Sequence, residues 1–212
     1  MNSGKKIFKE LAEESLTRLN KSGFPKNCKI PGIEVKNDEV VIPLFHEPYR
    51  LSVNGVTDAY GEPANPAISV LVLNYVINFP EKIPLDGEWI TFREFEGAGP
   101  LTSFFTENTN KIIETTFSGK MENLKNSAIK TGGCPVDDEL SSDISMHFIA
   151  LPGIPVFLRF NDKKEQFPAQ CSILFRQSAQ QLLDLNDLGI VGTILTGRLI
   201  SGAINGNQKE NS

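Results

Sequence analysis

Trp89, Arg93 and Glu94 are the residues whose types and spacing most directly suggest chemistry. The run Trp89 to Phe95 alternates large apolar with polar residues, which predicts a strand. On a strand Arg93 shares a face with Trp89, so a guanidinium can lie over the only indole in the chain. Such a pair suits a flat or anionic ligand. The plainer alternative is an edge strand with a packed tryptophan and a surface ion pair.

His46 and His147 are the other candidates for ligand or base, but each reads more readily as an ordinary residue, His46 exposed and His147 packed in the interior. Cys134 sits in a loop between Gly133 and Pro135, but Asp137, Asp138 and Glu139 follow it. Nearby carboxylates oppose thiolate formation, so a reactive thiol is not expected. Those acids and Asp143 lack calcium-loop spacing and read as a solvated loop. The sequence has no phosphate loop, no Gly-x-Gly-x-x-Gly turn, no Gly-x-Ser-x-Gly elbow, no Cys-x-x-Cys and no His-Glu-x-x-His. Three cysteines cannot supply four thiolates to an iron–sulfur cluster. No metal site and no covalently bound cofactor is therefore expected.

Composition sets the frame for these residues. A length of 212 residues fits one domain, with 40% hydrophobic and 22% charged residues. A net charge of −5 with interspersed signs argues against a nucleic-acid binder. An odd, widely spaced set of cysteines argues against a disulfide scaffold. The charged N-terminus is no signal peptide, and the uncharged run from Asn65 to Pro80 is too short to span a bilayer. A cytoplasmic protein, without a membrane partner, is the expectation.

The elements that must position the candidates follow from periodicity. Phe8, Leu11, Ala12, Ser15, Leu16 and Leu19 share one side of an N-terminal amphipathic helix stopped by Gly23 and Pro25. Ile33 to Val35 and Val40 to Leu44 flank a hairpin turn, and Tyr49 to Val53 forms a third strand before Asn54-Gly55. Asn65-Pro66 caps a helix apolar on every side, Ile68 to Phe79, although its valines also permit a strand. Leu101 to Phe117 recurs at helical spacing, and a further helical segment around Met121, Leu124 and Ala128 ends at Gly132-Gly133. Ile144 to Leu151, Pro155 to Phe160 and Cys171 to Phe175 are strands, the last two paired around Lys163 and Lys164. Ser178 and Gln181 have the form of a capping box. Leu188 to Ile204 is a helix whose Gly189, Gly192, Gly197 and Gly202 allow close approach, and whose Arg198 counts against a membrane span. The fold class is α+β: residues 1–24 an amphipathic helix, 25–204 one domain with an antiparallel sheet and packed helices, and 205–212 a frayed tail.

Trp89 to Phe95, Gly132-Gly133, Leu151 to Val156, Phe167-Pro168-Ala169 and Ile173 to Phe175 together resemble domain-of-unknown-function family 3786, in the right order from about Ile33 to Ile200. The resemblance implies proteins of anaerobic bacteria and archaea, some fused to a cysteine-rich iron–sulfur domain like that of corrinoid proteins. It therefore implies low-potential redox or methyl-transfer metabolism. The sequence departs from the family at Glu165-Gln166, where an acidic pair is usual, and at Arg176, where aspartate is usual. With no such cysteine-rich domain here, any cluster is expected on an iron–sulfur or corrinoid partner.

These readings lead to a cytoplasmic accessory or cofactor-handling protein that binds a large planar or anionic ligand or a redox partner, with Trp89, Arg93, Glu94 and Glu165 as ligand-binding residues; the resemblance implies that the ligand is a tetrapyrrole such as a corrinoid. Two alternatives stand beside it. One is a small enzyme using Arg93, Glu94 and Glu165 near Cys171. The other is a protein-interaction subunit with no small ligand.

Overall fold

The structure, a computed structural model, describes residues 3–207 except 27, 29, 32, 34, 81–86 and 138–141. Asp138 and Glu139 of the acidic loop, and residues 208–212 of the expected tail, lie outside the described residues.

The early alternation produces a meander of four antiparallel strands: β1 (Val35–Lys36), β2 (Glu39–Leu44), β3 (Glu47–Ser52) and β4 (Gly55–Thr57). Asn37 and Asp38 both take positive φ, the conformation a two-residue hairpin requires and these residue types tolerate. Pairing Val40 with Leu51 and Ile42 with Tyr49 places these four side chains on the buried face.

The second sheet is antiparallel throughout, in the order β5-β9-β8-β7-β6. It comprises β5 (Trp89–Thr91), β6 (Cys134–Pro135), β7 (Ile144–Leu151), β8 (Ile154–Asn161) and β9 (Gln170–Arg176). The expected hairpin is β8 with β9, in register from Val156 opposite Phe175 to Asn161 opposite Gln170. The α+β class holds, but its strands form two sheets where one was anticipated. Met146, Phe148, Val156, Leu158, Phe160, Ile173 and Phe175 make the buried face of the second sheet.

α4 (Asn110–Phe117) and α5 (Met121–Lys130) pack on that face, Phe105 of α3 (Gly99–Asn108) meets Phe175 there, and α6 (Leu185–Asn207) packs against all three helices. α1 (Ser3–Lys21) lies on α2 (Pro66–Ile77), which in turn meets α6. α2 begins as expected: Asn65 Oδ1 accepts from the Ala67 amide at 3.0 Å, with Pro66 in the first turn. By length and composition α6 could cross a bilayer. Here Leu188, Val191, Leu195 and Leu199 are wholly buried in the core, and Arg198 pairs with Glu47 at 2.7 Å.

Three local expectations are corrected. The strand at Trp89 stops at Thr91, because Glu94 Oε2 accepts from both the Thr91 amide (2.7 Å) and its hydroxyl (2.6 Å), closing a 3-10 turn over Phe92–Glu94. Ser178 caps no helix; it is buried inside a 3-10 turn, Gln177–Gln181, and Asp184 caps α6 instead, accepting from the Asp187 amide at 2.9 Å. Of the four helix glycines, Gly192 abuts Phe105 and Gly202 abuts Ser127, whereas Gly189 and Gly197 face open space.

Candidate functional site

The guanidinium over Trp89 belongs to Arg176, not Arg93. Arg176 stands opposite Trp89 in the β5–β9 register, its Cζ 4.3 Å from the ring centroid. His147 meets the indole edge-on at 5.8 Å, and Phe157 lies at 5.5 Å. Burial, with Arg176 adding, holds the His147 imidazole below its ordinary pKa. Cys134 pairs with His147 across β6 and β7 and is exposed.

The remaining sequence candidates scatter. Arg93 and Glu94 are exposed on the 3-10 turn, and the two Thr91 hydrogen bonds hold the Glu94 carboxyl below the usual range. Glu165 is exposed on the turn before β9, whereas Trp89 pairs at that strand's far end, roughly 20 Å away for a seven-residue strand. Cys171 is buried; its amide donates to Glu114 Oε1 at 3.0 Å, and burial pushes its thiol well up. The small-enzyme arrangement of Arg93, Glu94, Glu165 and Cys171 therefore does not assemble. His46 sits in the β2–β3 turn at φ 67°, packed against Gly132.

A different site is built between helices. α1, α2, α3 and the first turns of α6 wall a groove of about 610 Å³. Ile7 and Leu11 of α1, Val70 of α2, Leu101 and Phe104 of α3, and Leu185 and Ile190 of α6 make it apolar. Ile7 and Phe104 of the lining are 53% and 66% exposed, so the groove is open to solvent. Gly189 lies on the wall with open space where a Cβ would stand.

Three polar side chains run into this apolar lining in sequence. The Ser15 hydroxyl donates to Asn74 Oδ1 at 3.0 Å, and Asn74 Nδ2 donates to both Asp187 oxygens at 3.1 and 3.2 Å. Asp187 is 1% exposed. Burial pushes its carboxyl up to about 7; Asp184 adds to the rise and Asn74 opposes it. A carboxyl poised there serves as hydrogen-bond donor when protonated and as acceptor or counter-ion when ionised. The described lining carries no histidine, cysteine or lysine, and its Ser15 and Thr193 hydroxyls donate to Asn74 and to the Gly189 carbonyl, so neither is paired with Asp187 as nucleophile to base. Among the described residues no three His, Cys, Asp or Glu side chains gather as a metal cluster.

Sequence reasoning missed this site, although two of its residues gave a signal. Ser15 interrupts the apolar stripe of α1, and Asn74 interrupts the apolar run from Val70 to Ile77 in α2. A polar residue in such a place needs a buried partner.

The fold and groove define an α+β domain with a helix-walled apolar cleft and a buried acid, Asp187, in its wall. The chain belongs to a family described as a domain of unknown function, DUF3786, whose model matches residues 24–198. No curated protein and no solved structure matches it.

Proposed function

We propose that this chain is a ligand-binding protein whose site is the groove between α1, α2, α3 and α6. The observation that carries the reading is Asp187: a nearly inaccessible carboxyl, poised near neutrality, in the wall of an apolar cleft of about 610 Å³. Apolar pockets with a few convergent polar groups and a perturbed acid are the usual form of small-molecule sites. A cytoplasmic setting belongs to the same proposal, supported by free thiols at Cys28, Cys134 and Cys171.

The test uses N-phenyl-1-naphthylamine, an apolar fluorophore uncharged at neutral pH. Saturable enhancement with a Kd on the order of 10 µM is expected, a modest affinity for a surrogate ligand. Gly189→Leu fills the open wall without breaking the helix and should abolish the signal without lowering the melting temperature. No saturable binding, or binding that survives Gly189→Leu, overturns the reading.

A second reading keeps the cofactor-handling role in anaerobic metabolism, with an iron–sulfur or corrinoid protein as partner. A planar anionic tetrapyrrole would then lie against the outer face of the second sheet. Arg176 at 4.3 Å over Trp89, with His147 at the ring edge, favours it. Titration with cobalamin and haem, followed by Trp89 quenching, decides. No change at about 100 µM, a generous limit for a specific site, removes this reading.

A further inference from the structure

We propose that the groove's ligand is a cationic amphiphile: an apolar chain or ring ending in a protonated amine, with Asp187 as its counter-ion. This rests on the reading of the groove as a ligand site and adds the charge of the ligand to it.

Charge complementarity is the argument. The described lining holds two ionisable groups, Asp184 and Asp187, and no lysine, arginine or histidine. Around Asp187 itself, α2 offers the neutral Asn74, α1 offers Ser15 through Asn74, and α3 contributes apolar side chains. Asp184, the cap of the same helix, is the charged group that pushes on it. A fatty acid would bring another anion to this pair with no cation to meet it, which disfavours anionic amphiphiles. An amine reverses every sign.

Asp187 is also built to accept. An ionised carboxylate has about four acceptor positions, and the Asn74 NH₂ group together with the Asp184 backbone amide leaves room for a further donor. Its place in the first turn of α6 lends the helix dipole to the ionised form once a ligand cation offsets burial. The apolar walls would take the hydrocarbon, and the open space at Gly189 leaves room beside the acid. Binding then carries a proton signature. Below neutrality Asp187 must lose its proton as the ammonium arrives, so the ammonium affinity should rise about tenfold from pH 6 to pH 8 as the competent fraction grows.

Calorimetry of the full chain with 1-octylamine, 1-octanol and octanoate tests this at pH 6 and pH 8. The expected result is tightest binding by octylamine, tenfold tighter at pH 8, with a proton released at pH 6 as shown by buffers of different ionisation heat. Asp187→Asn keeps a hydrogen-bonding partner for Asn74; it should cost octylamine at least tenfold and erase the pH dependence. Equal binding of the three probes, or octylamine binding unchanged in Asp187→Asn, overturns the cationic ligand while leaving the groove reading intact. If no probe binds, or if binding persists in Gly189→Leu, the groove reading itself falls and the inference with it.

Discussion

Arg176 and Trp89 face each other across the β5–β9 ladder, guanidinium over indole at 4.3 Å, with Arg176 also donating to the Gly87 carbonyl at 3.0 Å. The cation–aromatic contact anticipated at this tryptophan exists, but its cation comes from a strand distant in sequence.

That contact separates two arginines experimentally. Arg176→Ala should shift Trp89 emission and cost about 1 kcal/mol, the size of a partly exposed cation–π contact with one hydrogen bond. Arg93→Ala, on the exposed turn, should leave emission alone and change stability by less than about 0.5 kcal/mol. Equal effects of the two substitutions on emission would contradict the register.

Arg198 ties the first sheet to α6. Its Nη1 donates to the Leu44 and Phe45 carbonyls at 2.7 and 3.2 Å, and its Nη2 meets Tyr49 Oη at 3.2 Å and Glu47 at 2.7 Å. Phe45 and His46 hold positive φ in this turn, so the carbonyl contacts fix a conformation these residues rarely adopt. Arg198→Ala should cost roughly 2–3 kcal/mol by urea denaturation, since the carbonyls lose their donor. Glu47 is 60% exposed, so Glu47→Ala should cost less than about 1 kcal/mol. A larger loss from Glu47→Ala than from Arg198→Ala would place the stabilisation in the ion pair.

Two glycines of α6 should respond with opposite signs. A Cβ on Gly192 would stand 2.6 Å from the Phe105 ring, inside the core stacked by Phe92. Gly192→Ala should therefore cost about 1–3 kcal/mol, as overpacking does. Gly197 faces open space on the same helix, so Gly197→Ala should stabilise by about 0.5–1 kcal/mol. Thermal melts of both variants suffice, and two shifts of the same sign would refute the packing.

Much of the fold is legible because its signals are local. Asn65-Pro66 starts α2, and two short apolar runs flanking the charged turn at Lys163-Lys164 give both the strand type and the pairing of β8 and β9. At Trp89 the alternation spans only three strand residues before the Thr91–Glu94 pattern, also in the sequence, competes and wins. The groove is another matter. Ser15, Asn74 and Asp187 are separated by 59 and 113 positions, and nothing local to Asp187 distinguishes it from an ordinary first-turn acid. Its chemistry comes from burial, which only the packing of α1, α2 and α3 around α6 supplies.

Burial of Asp187 makes a prediction about stability against pH. Its carboxyl titrates near 7 in the folded chain against an ordinary 3.8, so the folded state retains a proton that the unfolded state has lost between those values. Stability from this group is therefore greatest below about pH 4, falls as pH rises towards 7, and levels off above it. A gap of about three pH units, at about 1.4 kcal/mol each, sets the size of the fall at roughly 4 kcal/mol. Asp187→Asn cannot titrate, so the difference between it and the parent chain isolates the effect from every other acid. The variant should match the parent near pH 4 and exceed it by a few kcal/mol at pH 8, by urea denaturation at each pH. Parallel curves for the two chains from pH 4 to 8 would mean that Asp187 ionises as freely in the fold as outside it, and the buried acid at the centre of the proposed site would lose its physical basis.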